Sequence, residues 1–464
     1  MRYVSTRGQA PELDFEGVML AGLARDGGLY VPAAWPRFTP REIAALAGLP
    51  YEEAAFRVML PYIGDAFAPE DFFAMIERAY AAFGHAARAP LVQIGDNDWV
   101  LELHHGPTLA FKDFAMQLIG QMFEHALGRR NERVTIVGAT SGDTGSAAIE
   151  AFRGLDAVDV FILYPHGRVS EVQRRQMTTP REGNVHALAV EGDFDDCQAL
   201  VKAMFNDHDF RDTTRLAAVN SINWARVLAQ AVYYFTSAVA LGAPYRSVSY
   251  SVPTGNFGDV YAGWVASNMG LPVEKLVVAT NRNDILHRTI QTGEHRRETV
   301  EPTLSPSMDI QVSSNFERLL FDLMDRDGPA TAEAMRQLKD EGGFRLSNSA
   351  LARLREDFDS GMATEEDTAA VIAAMAEITG HVLDPHTAIG VKAASDARGA
   401  STDPMVVLGT AHAAKFPDAV HAACGALPQL PPRLADLYDR SERITRVAGD
   451  LGAVQRVILE RGRA

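Results

Sequence analysis

The sequence predicts an α/β protein with parallel β-structure, in two successive series of strands and helices. From about residue 100, short apolar and β-branched runs alternate with helical stretches, and a second series of this kind begins near residue 247. A strand, a loop, a helix and a further strand within roughly thirty residues is the repeating unit of a parallel sheet. With 47% apolar and 22% charged residues among 464, the chain has the composition of a globular protein with a substantial core.

Each predicted strand is a short apolar run, and most are followed by a helical pattern. In the first series, strands are predicted over 133–138, 158–164 and 184–190, with helices over 144–152 and 195–205. In the second series, strands are predicted over 247–252, 276–280 and 405–409, with a helix over 259–269. Further helices are predicted over 112–127 and 227–243, within 329–380, and within a peripheral C-terminal region, 430–464.

The charge of the chain limits its partners. The formal net charge is −16, from 60 acidic and 44 basic residues. A field of this sign repels nucleic acid and anionic lipid, so we expect neither as a partner. It also opposes a phosphorylated ligand at long range. Such a ligand therefore needs backbone N–H groups at helix starts and a few placed cations close by.

Cysteine usage and apolar patterning indicate a cytoplasmic protein. The two cysteines, Cys197 and Cys424, form neither a disulfide framework nor a zinc pattern, which favours a reducing compartment. The N-terminus lacks an apolar signal region. The longest largely apolar stretch, 227–243, is short for a membrane span, so we interpret it as a buried helix.

Lys112 is the first candidate for chemistry. It follows the turn residues Gly106-Pro107-Thr108 and lies at or near the start of the helix predicted over 112–127. The positive end of the helix dipole disfavours an ammonium there, and the flanking aromatics Phe111 and Phe114 would desolvate it. Both effects favour the neutral amine, which can attack an aldehyde or remove a proton. The alternative is a surface lysine whose stem lies on the two rings.

Two glycine-rich loops each follow a predicted strand and precede a predicted helix. The first is SGDTG from Ser141 and the second is TGNFGD from Thr254. N–H groups at such a helix start converge outside the carboxyl end of the strand, where an anion can bind. The alternative is an ordinary strand-to-helix turn, with Ser141 or Thr144 capping the helix after the first loop. The second loop has no Gly-Lys-Ser/Thr ending, so a nucleotide P-loop is not supported.

Other candidates are weaker on their own. Asn223 and Arg226 share one face of a helix start, where they are either an N-cap with a solvated arginine or a fork for a phosphate. Thr410 follows the last predicted strand. Histidines at four positions match no metal-ligand spacing, and structural roles are expected for them: His104, His105, His386 and His412.

A lysine that can form a Schiff base, combined with two anion sites, suits an enzyme that holds pyridoxal phosphate and an amino-acid substrate. The ordered motifs that contain these residues closely resemble the threonine synthases, in their longer bacterial and fungal form. The resemblance runs from YVSTRG at Tyr3 to about Ala419. It includes DGGLYVP from Asp26, HGPTLAFKDFA from His105, GATSGDTGSAA from Gly138, SINWAR from Ser221, VPTGNFGD from Val252, NDILHR from Asn283, SPSMDIQVSSNFERLL from Ser305, DPHTAIG from Asp384 and TAHAAKFPDAV from Thr410.

This resemblance implies a fold type II pyridoxal phosphate enzyme, similar to the tryptophan synthase β subunit. Two parallel-sheet α/β domains would flank the cofactor, and an N-terminal subdomain would precede them in the chain. The expected units are a subdomain at 1–97, a smaller α/β domain at 98–220 with the lysine and the first loop, and a larger α/β domain at 221–464 with the second loop.

The resemblance also assigns roles to residues. Lys112 would be the catalytic lysine and carry the cofactor. Ser141, Gly142, Thr144 and Gly145 would bind the substrate carboxylate, and Asn223 and Arg226 the substrate phosphate. The other expected cofactor contacts are Asp143, Gly255, Asn256, Phe257, Gly258, Asp259 and Thr410. Asp143 stands where the wider superfamily usually has asparagine, and Ala413 replaces a proline that is common in the family.

The implied reaction converts O-phospho-L-homoserine and water to L-threonine and phosphate by β,γ-replacement. Two alternatives stay open from the sequence: a lyase or dehydratase on the same scaffold that releases 2-oxobutyrate, and a non-catalytic phospholigand-binding relative. We expect a cytoplasmic monomer or homodimer whose partner is a small-molecule substrate and which binds neither nucleic acid nor a membrane.

Overall fold

Two β-sheets of six and five strands organise the structure, a computed structural model that describes residues 1–217 and 220–463. Two short antiparallel pairs complete the β-structure. The strands are β1 (Tyr3–Ser5), β2 (Tyr30–Pro32), β3 (Leu91–Gln93), β4 (Asp98–Glu102), β5 (Val134–Ala139), β6 (Val158–Pro165), β7 (Val185–Val190), β8 (Leu216–Ala217), β9 (Val248–Pro253), β10 (Val273–Thr280), β11 (Glu294–Arg296), β12 (Gly343–Arg345), β13 (Phe358–Met362), β14 (Met405–Gly409) and β15 (Thr445–Val447).

Helices cover the faces of both sheets and form most of the N-terminal region. They are α1 (Phe15–Ala21), α2 (Pro40–Ala44), α3 (Tyr51–Ile63), α4 (Pro69–Tyr80), α5 (Lys112–Arg130), α6 (Asp143–Phe152), α7 (Glu171–Thr178), α8 (Phe194–Asn206), α9 (His208–Thr214), α10 (Trp224–Ala240), α11 (Gly258–Asn268), α12 (Ile285–Thr292), α13 (Phe316–Leu323), α14 (Gly328–Asp340), α15 (Asn348–Asp357), α16 (Glu365–Thr379), α17 (Pro385–Ala397), α18 (Pro417–Cys424) and α19 (Leu451–Arg461). Short 3-10 helices span Pro306–Met308, Ala413–Lys415 and Pro432–Leu434.

The six-stranded sheet has the order β13-β10-β9-β14-β4-β3. Its first five strands are parallel, and β3 pairs antiparallel with β4 at one edge. Every residue of β9 and β14 is buried, because helices cover both faces of the sheet. The second glycine loop follows β9, and Thr410 follows its neighbour β14, so both lie at the carboxyl edge of the sheet.

The five-stranded sheet has the order β15-β7-β6-β5-β8, and all its strand pairs are parallel. The central strand, β6, is buried along its whole length. The first glycine loop joins β5 to α6 at the carboxyl edge. Open α/β sheets bind ligands at the carboxyl edge, which is where both glycine loops lie.

The strands and helices beside the glycine loops confirm the sequence predictions. Strand β14 has the predicted bounds, and the others begin or end within three residues of the expected position. Helix α16 begins after Thr364, whose hydroxyl accepts the N–H of Asp367 in a capping box. Helix α10 is the buried apolar helix expected over 227–243, and it packs against α5 and α11.

Nine of the fifteen strands in the described ranges were not predicted, and they include β13 and β15 at sheet edges. Strand β13 reads FDSGM, and its residue Gly361 allows a close approach of α17, since a Cβ there would lie 2.8 Å from the Cβ of Ala393. Strand β15 reads TRV, within a region predicted as helical. Edge strands have one neighbour and a partly exposed face, so their sequences lack the apolar run that identifies buried strands.

Sheet membership does not follow the predicted domain boundaries. Strand β4, at the start of the segment 98–220, belongs to the six-stranded sheet of the larger domain. Strand β15, near the end of 221–464, extends the smaller sheet through β7. The chain therefore crosses between the two sheets more often than a division at 98 and 221 allows. In the described ranges, no helix combines the length and apolarity that crossing a bilayer requires.

Candidate active site

Lys112 begins helix α5 and is anchored by the end of strand β14. The N–H of Phe111 donates to the carbonyl of Thr410 at 2.9 Å, and Ala110 forms a β-bridge with Ala411. Leu109 adopts a left-handed φ of 64°, which turns the chain into the helix. Only 8% of Lys112 is exposed, so the alternative of a surface lysine is wrong.

The surroundings of Lys112 favour a neutral amine. Burial lowers its pKa, and the cations of Lys415 and Arg226 lower it further, against the opposing effect of Asp143. Its Nζ lies 3.4 Å from Oδ2 of Asp143 and 4.8 Å from the centre of the Phe111 ring. The sequence predicted this effect from the helix start and the flanking rings.

The first glycine loop is arranged by Thr140, a residue that was not predicted. The Thr140 hydroxyl accepts the N–H groups of Gly142 at 2.9 Å and Gly145 at 2.8 Å, so it caps α6 in place of Ser141 or Thr144. In the described part of the chain, the N–H groups and hydroxyls of Ser141 and Thr144 have no internal partner. Gly142 and Gly145 contribute space instead, because a Cβ would lie 2.3 Å from Gln173 and 2.5 Å from Thr140 respectively.

Asp143 is buried between several donors. Its Oδ1 accepts Nζ of Lys415 at 2.7 Å and Nε2 of Gln173 at 2.8 Å. Its Oδ2 faces Lys112 and, at 3.5 Å, the hydroxyl of Ser307. Burial alone would raise the pKa of Asp143, but the ammonium groups of Lys415 and Lys112 outweigh burial and hold it well below its usual range. Asp143 is therefore a carboxylate.

The second glycine loop presents its N–H groups outward. Gly255, Asn256, Phe257 and Gly258 find no acceptor for their backbone N–H among the described residues. Phe257 has a φ of 63°, and this left-handed residue immediately precedes α11. Successive N–H groups before a helix start form a nest for an anion.

Side chains from the segment before α13 hold the carbonyls of this loop on the opposite side. Ser313 donates its hydroxyl to the Gly255 carbonyl at 2.7 Å, and Asn315 donates its side-chain amide to the Asn256 carbonyl at 2.9 Å. A Cβ on Gly255 would lie 2.5 Å from the carbonyl oxygen of Ser307, so this glycine permits a close backbone approach.

Arg226 is buried with unused donors. It is 3% exposed, and its Nε and Nη1 have no hydrogen-bond partner in the described part of the molecule. Burial lowers its pKa to about 10, so the guanidinium stays charged. A buried, charged fork without a partner is costly, which indicates a site for an anion.

Asn223 forms hydrogen bonds that position the helix turn carrying Arg226. Its Oδ1 accepts the N–H of Ala225 at 3.0 Å as the N-cap of α10, and its Nδ2 donates to the carbonyl of Met19 at 2.8 Å. The N-cap interpretation is therefore confirmed, while the substrate contact of Asn223 stays a prediction. The cap orients the first turn of α10, on which Arg226 lies.

Asp259 and Thr410 lie beside these groups. Oδ1 of Asp259 accepts the hydroxyls of Tyr233 at 2.5 Å and Tyr234 at 3.1 Å, and its Oδ2 has no partner in the described chain. We therefore keep the predicted cofactor contact of Asp259 as a prediction and assign it to the backbone N–H of this residue. Thr410 is 5% exposed, and its hydroxyl donates to no described residue, as expected of a group that faces a ligand.

Three family descriptions match successive parts of the chain. "Threonine synthase N terminus" matches residues 2–80, "Pyridoxal-phosphate dependent enzyme" matches 85–355, and "Threonine synthase, C-terminal" matches 387–458. A threonine synthase of Pseudomonas aeruginosa is 58% identical over 463 residues, which cover 100% of this chain and 99% of that protein. The chain belongs to the threonine synthase family.

Solved structures agree with this assignment. The pyridoxal phosphate-bound threonine synthase from Brucella melitensis is 56% identical and superposes with a TM-score of 0.98 over 100% of both chains. The threonine synthase from yeast is 41% identical, with a TM-score of 0.94 over 99% of this chain and 98% of that chain. The protein is therefore a pyridoxal phosphate-dependent lyase with the fold type II architecture, and its substrate is a small molecule.

The residues present fit the cofactor of the threonine synthase family. Lys112 supplies a buried amine of lowered pKa, and the free N–H groups at 255–258 suit a phosphate. The close approach of Ser307 to Gly255 keeps that nest narrow. The orphaned guanidinium of Arg226 then remains for a second anion.

Several residues at this threonine synthase site were not assigned roles from the sequence. Gln173, Tyr233, Asn315 and Lys415 contact the predicted residues through hydrogen bonds or ion pairs between segments that are distant in the sequence. Thr140 instead forms two hydrogen bonds within its own loop. The family motifs contain Thr140, Asn315 and Lys415, but no local spacing connects them to Lys112.

The predicted histidines take positions beside the site. Nδ1 of His386 lies 2.9 Å from Oδ1 of Asp384, and its Nε2 accepts the N–H of Ser307 at 3.4 Å. The rings of His104 and His412 pack edge to face, and burial lowers the pKa values of His104 to about 3 and His412 to about 4. Within 1–217 and 220–463, no group of three or more His, Cys, Asp or Glu is arranged to hold a metal.

Proposed function

We propose that the protein converts O-phospho-L-homoserine and water to L-threonine and phosphate. The observation that carries this proposal is the buried Arg226, whose Nε and Nη1 have no partner in the described chain although the residue lies near enough to Lys112 to lower its pKa. A phosphate group of the substrate supplies two acceptors for such a fork. The names of the relatives support the same product.

The cofactor would be held at three places. Lys112 would bind it covalently, the N–H groups of 255–258 would bind its phosphate, and the Thr410 hydroxyl would face its pyridine nitrogen. Bound pyridoxal phosphate withdraws electrons from the substrate Cα and so makes its proton acidic. A hydroxyl partner does not force the pyridine nitrogen to be protonated, and this limits competing transamination.

Lys112 would be the base of the reaction. Once its Nζ is free, its lowered pKa favours the neutral amine, which can remove the proton from the substrate Cα. The same nitrogen can then move protons at Cβ. Its position at the start of α5, fixed by the Phe111–Thr410 hydrogen bond, keeps it within the site while it changes partners.

Two anion sites would orient the substrate. We propose that the free N–H groups and hydroxyls of Ser141 and Thr144 bind the substrate carboxylate, while Arg226 binds its phosphate at the other end. Gly142 and Gly145 would line this site without donating, because Thr140 accepts their N–H groups. Two fixed ends set the scissile Cγ–O bond and Cβ relative to Lys112, which contributes to the rate through positioning.

Arg226 would also stabilise the leaving phosphate. A guanidinium that is buried and preorganised costs little reorganisation when negative charge develops on the departing oxygen at Cγ. Water then adds at Cβ to give the threonine hydroxyl. The burial of Lys112, Asp143 and Arg226 limits water at the site before that step.

Product analysis tests this proposal against its closest rival. The purified protein with pyridoxal phosphate is incubated with O-phospho-L-homoserine, and threonine, 2-oxobutyrate and phosphate are measured. We expect one threonine for each phosphate released. Release of 2-oxobutyrate in place of threonine would support the phospho-lyase, and ligand binding without any product would support the non-catalytic relative.

We further propose that the protein works in the cytoplasm as a monomer or homodimer, without nucleic acid or membrane partners. The strongly negative charge and the two free cysteines, Cys197 and Cys424, support this. Light scattering on the purified protein distinguishes these two assemblies from larger ones.

A further inference from the structure

A second buried lysine contacts the same carboxylate as Lys112. Lys415 lies in the short 3-10 helix after β14, and none of its surface is exposed. Its Nζ is 2.7 Å from Oδ1 of Asp143 and donates to the carbonyl of Thr108 at 2.8 Å. The proposed reaction gives Lys415 no role, although its ammonium has two short contacts in the site.

The two oxygens of Asp143 are used unequally. Oδ1 receives short hydrogen bonds from Lys415 and, at 2.8 Å, from Gln173. Among the described residues, Oδ2 has only distant neighbours, Lys112 at 3.4 Å and Ser307 at 3.5 Å. The carboxylate is thus committed to Lys415, and Lys112 has a single long contact with it.

The ammonium groups of Lys112 and Lys415 and the carboxylate of Asp143 form a buried cluster with an excess positive charge. Loss of one proton removes this excess, and the lysine with the weaker hydrogen bonds loses it. Lys415 has two good acceptors, whereas Lys112 has one at the edge of hydrogen-bonding distance. The other charged groups near Lys112 are Arg226, which favours its neutral form, and Asp259, which opposes it. His386 is a further titratable group beside Asp143.

We propose that Lys415 is a positioning residue that holds the Asp143 carboxylate charged and bound through Oδ1, which leaves Lys112 only a long contact with Oδ2, so that the Lys112 amine is neutral and ready to bind the cofactor. The proposal rests on the role given to Lys112 under the proposed function. Without the Lys415 ammonium, Asp143 would pair with the Lys112 ammonium, and Lys112 would keep its proton. The pKa of Lys112 shifts in the same direction, because burial lowers it and the charge of Lys415 lowers it further.

Cofactor attachment provides a readout that does not depend on turnover. Full-length protein depleted of cofactor is mixed with pyridoxal phosphate between pH 6 and 10, and the rate of covalent attachment is followed by absorbance. The rate follows the neutral fraction of Lys112, so each variant has a characteristic pH of half-maximal rate. Effects of pH on the added cofactor are common to all variants and cancel in the comparison.

Three variants separate the electrostatic role from a structural one. Lys415→Met removes the charge at similar volume and should move the half-maximal pH upward by about 1 unit or more, roughly a tenfold slower rate at neutral pH. Lys415→Arg keeps the charge and should leave it within about 0.3 units of the parent. Asp143→Asn removes the carboxylate that favours the Lys112 ammonium and should move the half-maximal pH downward.

The opposite directions of the first and third variants decide the question. The proposal would be overturned if Lys415→Met and Lys415→Arg had the same pH of half-maximal rate, or if neither Lys415→Met nor Asp143→Asn changed it. It would also be overturned if Lys415→Met and Asp143→Asn moved that pH in the same direction. Circular dichroism checks folding, and Lys415→Gln replaces the Met variant if that protein is unfolded. Covalent attachment to Lys112→Ala protein would instead overturn the assignment of Lys112, whatever the Lys415 variants show.

Discussion

The side-chain amide of Asn315 donates to the carbonyl of Asn256 at 2.9 Å and thereby fixes the second glycine loop with its N–H groups facing away. The same amide reaches the carbonyl of Ser221, five residues before Arg226, at 3.1 Å. One side chain thus connects the proposed site for the cofactor phosphate to the segment that carries the proposed site for the substrate phosphate.

Asn315→Ala should therefore weaken both anion sites. Loss of these two part-buried hydrogen bonds costs about 1 to 3 kcal/mol, which corresponds to a Kd for pyridoxal phosphate higher by roughly 5-fold to 150-fold and a raised KM for phosphohomoserine. Equilibrium dialysis and steady-state kinetics measure the two effects. Asn268→Ala is the matched control, since among the described residues that amide donates only to the carbonyl of Trp264 within its own helix. Equal effects of the two substitutions would show that the connection through Asn315 has no role.

Gly255→Ala should selectively impair cofactor binding. A Cβ at this position would lie 2.5 Å from the backbone carbonyl of Ser307, so the loop must shift and its nest widens. We expect the Kd for pyridoxal phosphate to rise by about tenfold or more. Gly183→Ala is the control, because a Cβ there has no atom of the described residues within 4 Å. Unchanged cofactor affinity in Gly255→Ala protein would place the cofactor phosphate elsewhere.

Much of the fold around the two glycine loops and Lys112 could be predicted from the sequence, because it depends on features of short sequence segments. The strands before Ser141 and Thr254 are continuous apolar runs bounded by glycine turns, and Lys112 follows turn residues at a helix start. The contacts that adjust these parts come from distant segments. Lys415 reaches Asp143 across more than 270 residues, and no periodicity or spacing in either segment indicates that pairing.

Arg226→Ala should raise the KM for phosphohomoserine far more than it changes cofactor content. The unpaired Nε and Nη1 are available to the substrate phosphate, and a charge-assisted fork is worth about 2 to 4 kcal/mol, or roughly 30-fold to 1000-fold in kcat/KM. Arg226→Lys keeps the charge without the fork and should give an intermediate value. A parallel loss of bound cofactor in Arg226→Ala protein, measured by absorbance, would assign the arginine to the cofactor instead.

Asp259 should make stability depend on pH between about 4 and 7. Burial raises its pKa to about 7, against about 3.9 in the unfolded chain, so the folded protein binds the proton more tightly. Its contribution to stability is therefore most unfavourable above pH 7 and disappears as the pH falls towards 4. Asp259→Asn removes this contribution, so its Tm relative to the parent protein should be higher at pH 8 than at pH 5.

Thermal unfolding of both proteins at the two pH values measures this difference. Asp113, whose pKa burial raises to about 6, is present in both proteins and cancels. A Tm difference that is the same at pH 5 and pH 8 would show that Asp259 is ionised in the folded protein throughout this range.

Reduction of the cofactor-bound protein tests most directly whether Lys112 is the lysine that binds pyridoxal phosphate. Borohydride fixes the cofactor to its lysine, and peptide mapping by mass spectrometry then identifies the modified residue. Lys415 is the stringent internal comparison, because it is fully buried and lies against the same carboxylate. The structure predicts modification of Lys112 alone, whereas a cofactor found on Lys415 or on any other lysine would contradict the account.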